Sequence, residues 1–204
     1  MIIIYALIGL NLVVSFLGFQ ALQGMRSSAA DFLFEPYEVH RGRNLKGMLI
    51  SNFAHANWFH LLLNMYVLYI SAPHILFQSN LAGFFLILLA ALVGGDLLIY
   101  FRRKDDPHYR SLGASGYVTG LLFAMVVFNP GVSFGLLFIP GLYIPGPVFA
   151  ILFLAISWYM MKKEMAGISH EGHIGGAIGG FAAAVLVAPQ GLAPLLAWFL
   201  SIFL

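Results

Sequence analysis

The sequence has no cysteine, which excludes disulfides and thiolate metal sites, and very little charge: only 9% of its 204 residues are Asp, Glu, Lys or Arg. A water-soluble domain carries about a quarter charged residues, so this chain cannot cover itself with polar side chains. Ten basic against eight acidic residues leave a net charge of +2. No basic stripe with interleaved aromatics is present, so nucleic acid is not an expected partner. What fills the chain instead is apolar: 61% hydrophobic residues and 22 glycines, with a mean hydropathy of +0.91.

Uncharged runs of this kind suit the lipid bilayer, since crossing a hydrocarbon core of ~30 Å takes roughly 20 residues. Reading between polar and Gly/Pro breaks predicts helices near 1 to 22, 58 to 78, 81 to 101, 113 to 128, 146 to 162 and 172 to 188. The expected fold class is therefore an all-α, six-transmembrane-helix bundle, a single domain over 1–204 with short loops. The first run lacks the basic leader and the small-x-small site of a signal peptide, and is read as a transmembrane helix. Residues 131–145 are apolar but broken by Pro140, Pro145 and glycines, and read as a dipping loop or the start of a kinked fifth span. The apolar segment 189–204 is too short to cross and reads as interfacial or tucked.

All the charges but Asp96 fall in three loops. Arg26, Asp31, Glu35, Glu38, Arg41, Arg43 and Lys46 separate the first two helices, 102–110 the third and fourth, and Lys162 to Glu171 the last two. In a six-span chain these loops share one face. Counting helical rise from the opposite face, the steps from Gln78 to Asn64, Phe128 to Ser115 and Ala188 to His173 each come to ~20 to 22 Å at 1.5 Å per residue. Three polar side chains on three helices thus arrive at one depth, roughly 10 Å below the charged face of a ~30 Å core.

Two of those helices carry glycines at four-residue spacing, Gly116 and Gly120 in one and Gly172, Gly176 and Gly180 in the other. Small residues so spaced let backbones approach closely, which is what a Ser115 hydroxyl needs to reach the His173 imidazole. A histidine in reach can take the serine proton and return it to a leaving group. His60 and Asn64, at i and i+4, share a helix face and could donate to an oxyanion, each such donor being worth ~3 kcal/mol.

Three motifs here resemble the rhomboid intramembrane proteases. Gly113-Ala114-Ser115-Gly116 with Gly120 is similar to the serine motif of the family's fourth helix. His55-Ala56-Asn57-Trp58-Phe59-His60 with Asn64 resembles its second-helix motif, and Gly172-His173-Ile174-Gly175-Gly176 with Gly180 its sixth-helix histidine motif. They occur in the family's order, over about residues 45 to 182.

The resemblance implies a serine endopeptidase working through a Ser115–His173 dyad with no carboxylate, metal or cofactor. It also implies an oxyanion site at Asn64, His60 and the Ser115 backbone N–H, with His55 ordering the adjacent loop. By the same resemblance the segment including His170 caps the site, and helix five near Phe149, Phe153 and Trp158 gates lateral entry. Its substrates would be single-pass transmembrane proteins, and its location the inner membrane of a bacterium. The chain departs from the family at Thr119, where an aromatic usually stacks on the histidine, at Leu76, where an acid is expected, and near Gly47, where Lys46 stands without a Trp-Arg pair.

Other readings bear on the same residues. Ser115 beside glycines, or Asn64 alone, could serve packing only. His170-Glu171-Gly172-His173 has two histidines three apart but not the zincin order, and Tyr117 spoils the G-x-S-x-G elbow. Asp96 is expected to pair with Arg102 or Arg103 near the interface. A catalytically inactive rhomboid-like protein that binds membrane proteins is the main alternative function. A transporter lacks support, because inverted repeats and a midplane ionisable cluster are missing. The positive-inside rule makes the charged face cytoplasmic, whereas the resemblance places it outside the cytoplasm, and the resemblance is followed here.

Overall fold

A computed structural model describes residues 1–24, 28–136, 139–164 and 168–202; Arg26 and the last two residues of the 189–204 segment lie outside the described residues. An apolar helix α1 (Ile2–Leu22) is followed by a 3-10 turn (Ala29–Phe32) and two short helices, α2 (Pro36–His40) and α3 (Leu45–Ser51). Next come α4 (Trp58–Arg103), α5 (Ser115–Phe128), strands β1 (Ser133–Leu136) and β2 (Ile139–Pro145), α6 (Gly146–Lys162), α7 (His170–Val187) and α8 (Ala193–Leu200).

The 46-residue α4 is two helices joined at Asn80, whose φ of 60° and ψ of −178° break the helical path. The Asn80 side chain then accepts from the Ala82 and Gly83 N–H groups at 3.0 and 3.1 Å, capping the second limb. His60 at the start of the first limb faces Gly113, and Ile99 near the end of the second faces Gly172. The limbs therefore fold back on each other, as the predicted helices at 58 to 78 and 81 to 101 require.

By length and composition α1 and α4 are able to cross a membrane, while α5 and α6, at 14 and 17 residues, are apolar but shorter. The outward surface is strongly apolar: Phe77 is 91% and Leu186 82% exposed. Inside, Leu61, Leu68, Ile75, Phe84, Ile87, Leu121 and Ala124 form one buried cluster.

At the centre is α7, made thin by Gly172, Gly175, Gly176, Gly179 and Gly180. One face lies on α5, where a Cβ at Gly176 would overlap the Gly116 carbonyl, and one at Gly180 the Gly120 backbone. The other lies on the second limb of α4, where a Cβ at Gly175 would collide with the Gly94 carbonyl and one at Gly179 with Ala90. Glycine is needed here for space, because ordinary side chains hold helix axes 8–10 Å apart.

Two expectations need correction. In place of a dipping loop or a kinked span, strands Ser133–Leu136 and Ile139–Pro145 pair antiparallel, Ser133 with Pro145, Phe134 with Ile144 and Gly135 with Tyr143. Pro140 and Pro145 carry no N–H and interrupt a helical ladder, whereas strand pairing satisfies the backbone groups that the two strands turn toward each other. The chain is thus mostly helical rather than wholly α. Asp96, expected on Arg102 or Arg103, instead accepts from Asn52 Nδ2 at 3.0 Å, while Arg103 turns to Glu171 at 2.7 Å.

The terminal α8 rests on the bundle through Leu195, which is buried. With Phe199 it borders an apolar cavity of about 310 Å³ shared with Phe123, Phe181 and Leu154.

Candidate active site

Ser115 is the first residue of α5, where the backbone N–H has no intrahelical acceptor and the helix dipole favours negative charge. The loop leading to it is held from two sides. Gly113 N–H donates to the Ser51 carbonyl at 2.9 Å, and Ala114 N–H donates to His55 Nε2 at 3.4 Å. Gly113 has a φ of +132°, and a Cβ there would stand 2.7 Å from His60 Cε1 and 3.7 Å from Ser115 Oγ. Backbone conformation and space both demand glycine, and the His60 ring lies directly over this turn beside the serine.

His55 is fully buried, and its hydrogen bonds define its tautomer. Nε2 accepts from Ala114 N–H, so Nδ1 carries the proton and donates to Ser15 Oγ at 2.8 Å. The Ser15 hydroxyl passes the direction on to the Phe53 carbonyl at 3.2 Å. His55 therefore joins α1, its own loop and the serine turn, and packs edge-on against His60 with centroids 5.0 Å apart.

On the first limb of α4, Asn57 caps the helix by accepting from His60 N–H at 2.9 Å. Asn64 is buried, and its Nδ2 donates to the His60 carbonyl at 2.9 Å. An amide nitrogen has two hydrogens, so one remains for another acceptor.

His173 lies in the first turn of α7, which Ser169 caps by accepting from Gly172 N–H at 3.3 Å. Tyr109 reaches the same Ser169 Oγ at 2.7 Å. Burial above all raises the Tyr109 phenol above its ordinary value. The Arg103 guanidinium ties the α7 start to the end of α4 through Glu171 at 2.7 Å, with Glu164 at 3.2 Å beyond it.

The aromatic partner of the His173 ring comes from an unexpected element. Phe153 of α6 lies 5.9 Å from it at 38°, in a row with Phe149 at 5.7 Å. Thr119 is buried. Tyr117 points away, donating to Asn11 Oδ1 at 3.0 Å. Of the helix-five residues singled out by sequence, Phe149 and Phe153 thus border the site, whereas Trp158 is half exposed and sits under Lys162.

The structure brings Ser115, His60, Gly113 and His55 into one cluster, with Gly116, Gly120, Gly176 and Gly180 as the seam between α5 and α7. Among the described residues Ser115 Oγ makes no hydrogen bond to His173. Catalytic hydrogen bonds are often long in free enzymes and tighten with substrate.

Two cavities border the cluster. One, of about 20 Å³, lies behind Ser115 among Ser51, Asn52, Asp96 and Ser111, room for about one water. The other, about 510 Å³, opens above it between Arg103, Tyr109, Arg110 and Met160, and its lining includes His60 and His170.

Sequence reading missed the Asn52–Asp96 pair, Phe153 as the ring against His173, and the second glycine seam at Gly94, Gly95, Gly175 and Gly179. The last had a visible signal: the doublets at 94–95, 175–176 and 179–180 supply small residues to two faces at once.

The sequence matches the family model of the rhomboid domain over residues 42–190. The chain belongs to the rhomboid family. That match takes in the serine, the histidine and all three motifs. No match was found among curated proteins. As a family, rhomboids are intramembrane serine proteases, and the family together with the apolar helices makes this chain a membrane protein.

Proposed function

We propose that this rhomboid is an active intramembrane serine endopeptidase, cleaving single-pass membrane proteins near the bilayer surface. The observation that carries the reading is the glycine seam, where the α5 and α7 backbones touch at Gly116–Gly176 and Gly120–Gly180 with Ser115 and His173 near its upper end. In this reading the six crossings are α1, the two limbs of α4, α5, α6 and α7. The chain is one rhomboid domain, with 189–202 lying at the membrane interface against it.

Chemically, Ser115 Oγ attacks the scissile carbonyl while His173 takes its proton. The oxyanion is met by the Ser115 N–H, the free Asn64 hydrogen and the His60 ring. His173 then protonates the leaving nitrogen, and a water releases the acyl group. A helical peptide bond is shielded by its own turn, so substrates carry small or helix-breaking residues near the interface. The reading places the enzyme in a bacterial inner membrane, with the site on the outer side and no metal or cofactor involved.

A second reading, an inactive membrane-protein-binding relative, draws on the missing Ser115–His173 hydrogen bond. Incubation with a helix-unstable model transmembrane substrate separates the two. Cleavage by wild type and its loss in Ser115→Ala support the protease, and cleavage that survives Ser115→Ala refutes it.

A further inference from the structure

His170 is 5% exposed, yet neither of its ring nitrogens has a hydrogen-bond partner among the described residues. Leaving a buried polar atom unpaired costs ~1 to 3 kcal/mol, so an imidazole held this way is built for something that arrives. It borders the 510 Å³ opening together with His60 and Ser169, with both ring nitrogens buried just inside it. Its ring also meets His173 edge-on, centroids 6.0 Å apart and planes at 86°, because the two residues stand one turn apart on α7.

We propose that His170 holds the water that hydrolyses the acyl-enzyme. The inference rests on the protease reading above. After the leaving amine departs, the substrate acyl group is an ester on Ser115, and a water must reach it at a depth where the hydrocarbon supplies none. The opening at the charged face is the wet side of the site, and His170, unpaired, both borders it and meets the His173 ring. A neutral imidazole offers one donor and one acceptor, enough to fix a water with its oxygen toward the ester. That oxygen bonds to the acyl carbon as the bond between the acyl carbon and Ser115 Oγ breaks. Its proton passes to His173 and from there to Ser115 Oγ, leaving free serine and a carboxylic acid.

The two halves of the reaction separate the role of His170 from that of the dyad. Phosphonylation of Ser115 by a fluorophosphonate needs the nucleophile and base but no hydrolytic water, whereas turnover of a transmembrane substrate needs all three. With full-length protein in detergent, His170→Ala is expected to phosphonylate within about twofold of wild type while kcat falls by about 10- to 100-fold. Its C-terminal fragment should appear in a rapid burst of at most one per enzyme, followed by slow turnover. His170→Gln, which can still hydrogen-bond a water, should recover part of kcat. Phosphonylation and turnover falling together in both variants would assign His170 to structure alone, and unchanged turnover without a burst would make it idle; either overturns the proposal. Wild type inert to probe and substrate alike would instead overturn the protease reading, before any substitution is made.

Discussion

Adding one methyl group at Gly180 tests the seam that brings serine and histidine together. A Cβ built there would lie 2.6 Å from the Gly120 carbonyl carbon, with Gly120 Cα and O closer still. Carbon atoms rest at about 3.5–4.0 Å, so α5 and α7 must part by about 1 Å. Overpacking of this kind costs ~1 to 3 kcal/mol, and a 1 Å displacement of catalytic groups costs about 100-fold in rate. The obstruction is backbone on a packed helix, so no side-chain rotation relieves it. Two other glycines calibrate the result. A Cβ at Gly116 would meet Gly172 O at 3.3 Å, and one at Gly9 would meet nothing within 4 Å. Gly9→Ala should therefore gain slightly from helix propensity, Gly116→Ala should lose a little, and Gly180→Ala should lose most in melting temperature and in fluorophosphonate labelling rate. If Gly180→Ala melts and labels like Gly9→Ala, the close-packed seam does not exist.

Three further outcomes follow from the same geometry. Glu171→Gln leaves the Arg103 guanidinium without its closest carboxylate but still 3.2 Å from Glu164; losing one charged hydrogen-bond partner of this kind costs ~1 to 3 kcal/mol, visible as a lower melting temperature, and an unchanged one would mean Glu164 carries the contact. Because burial holds the folded Tyr109 phenol above its ordinary value, its contribution to stability is complete below the unfolded pKa of ~10 and is lost as pH rises through the folded one. Tyr109→Phe should flatten that alkaline loss in melting curves taken upward from neutral pH, and an identical slope would contradict it. The cysteine-free chain makes topology simple to read. A single cysteine replacing the exposed Asp105 should react with an impermeant maleimide on intact cells, whereas reaction only after permeabilisation would make the site face cytoplasmic, as the positive-inside rule has it.

What was legible in the sequence is what one-dimensional spacing encodes. Helix ends at 22, 128 and 162 coincide with the observed ends, because apolar runs stop at polar or Gly/Pro breaks. The α5–α7 contact was legible because only glycine at every fourth position permits it. Three features were hidden for physical reasons. Residues 131–145 are apolar enough to read as a dipping loop or the start of a span, and the pairing of strands Ser133–Leu136 and Ile139–Pro145 depends on which segment lies beside which. The Phe153 ring reaches His173 across two helices, where the sequence pointed to a partner inside α5. Asp96 was assigned to the nearest cations along the chain, yet the fold brings Asn52 of the first loop to it and gives Arg103 three other acids, Asp106, Glu164 and Glu171.

Everything proposed for the site requires Ser115 to be an activated nucleophile with His173 as its base. Labelling of the purified full-length protein by a fluorophosphonate, read by in-gel fluorescence and by the mass of the modified peptide, tests it most directly. A single adduct on Ser115 is expected, abolished in Ser115→Ala and in His173→Ala while both variants retain the wild-type melting profile. A folded wild type that takes up no label, or an adduct that persists in His173→Ala, would contradict it.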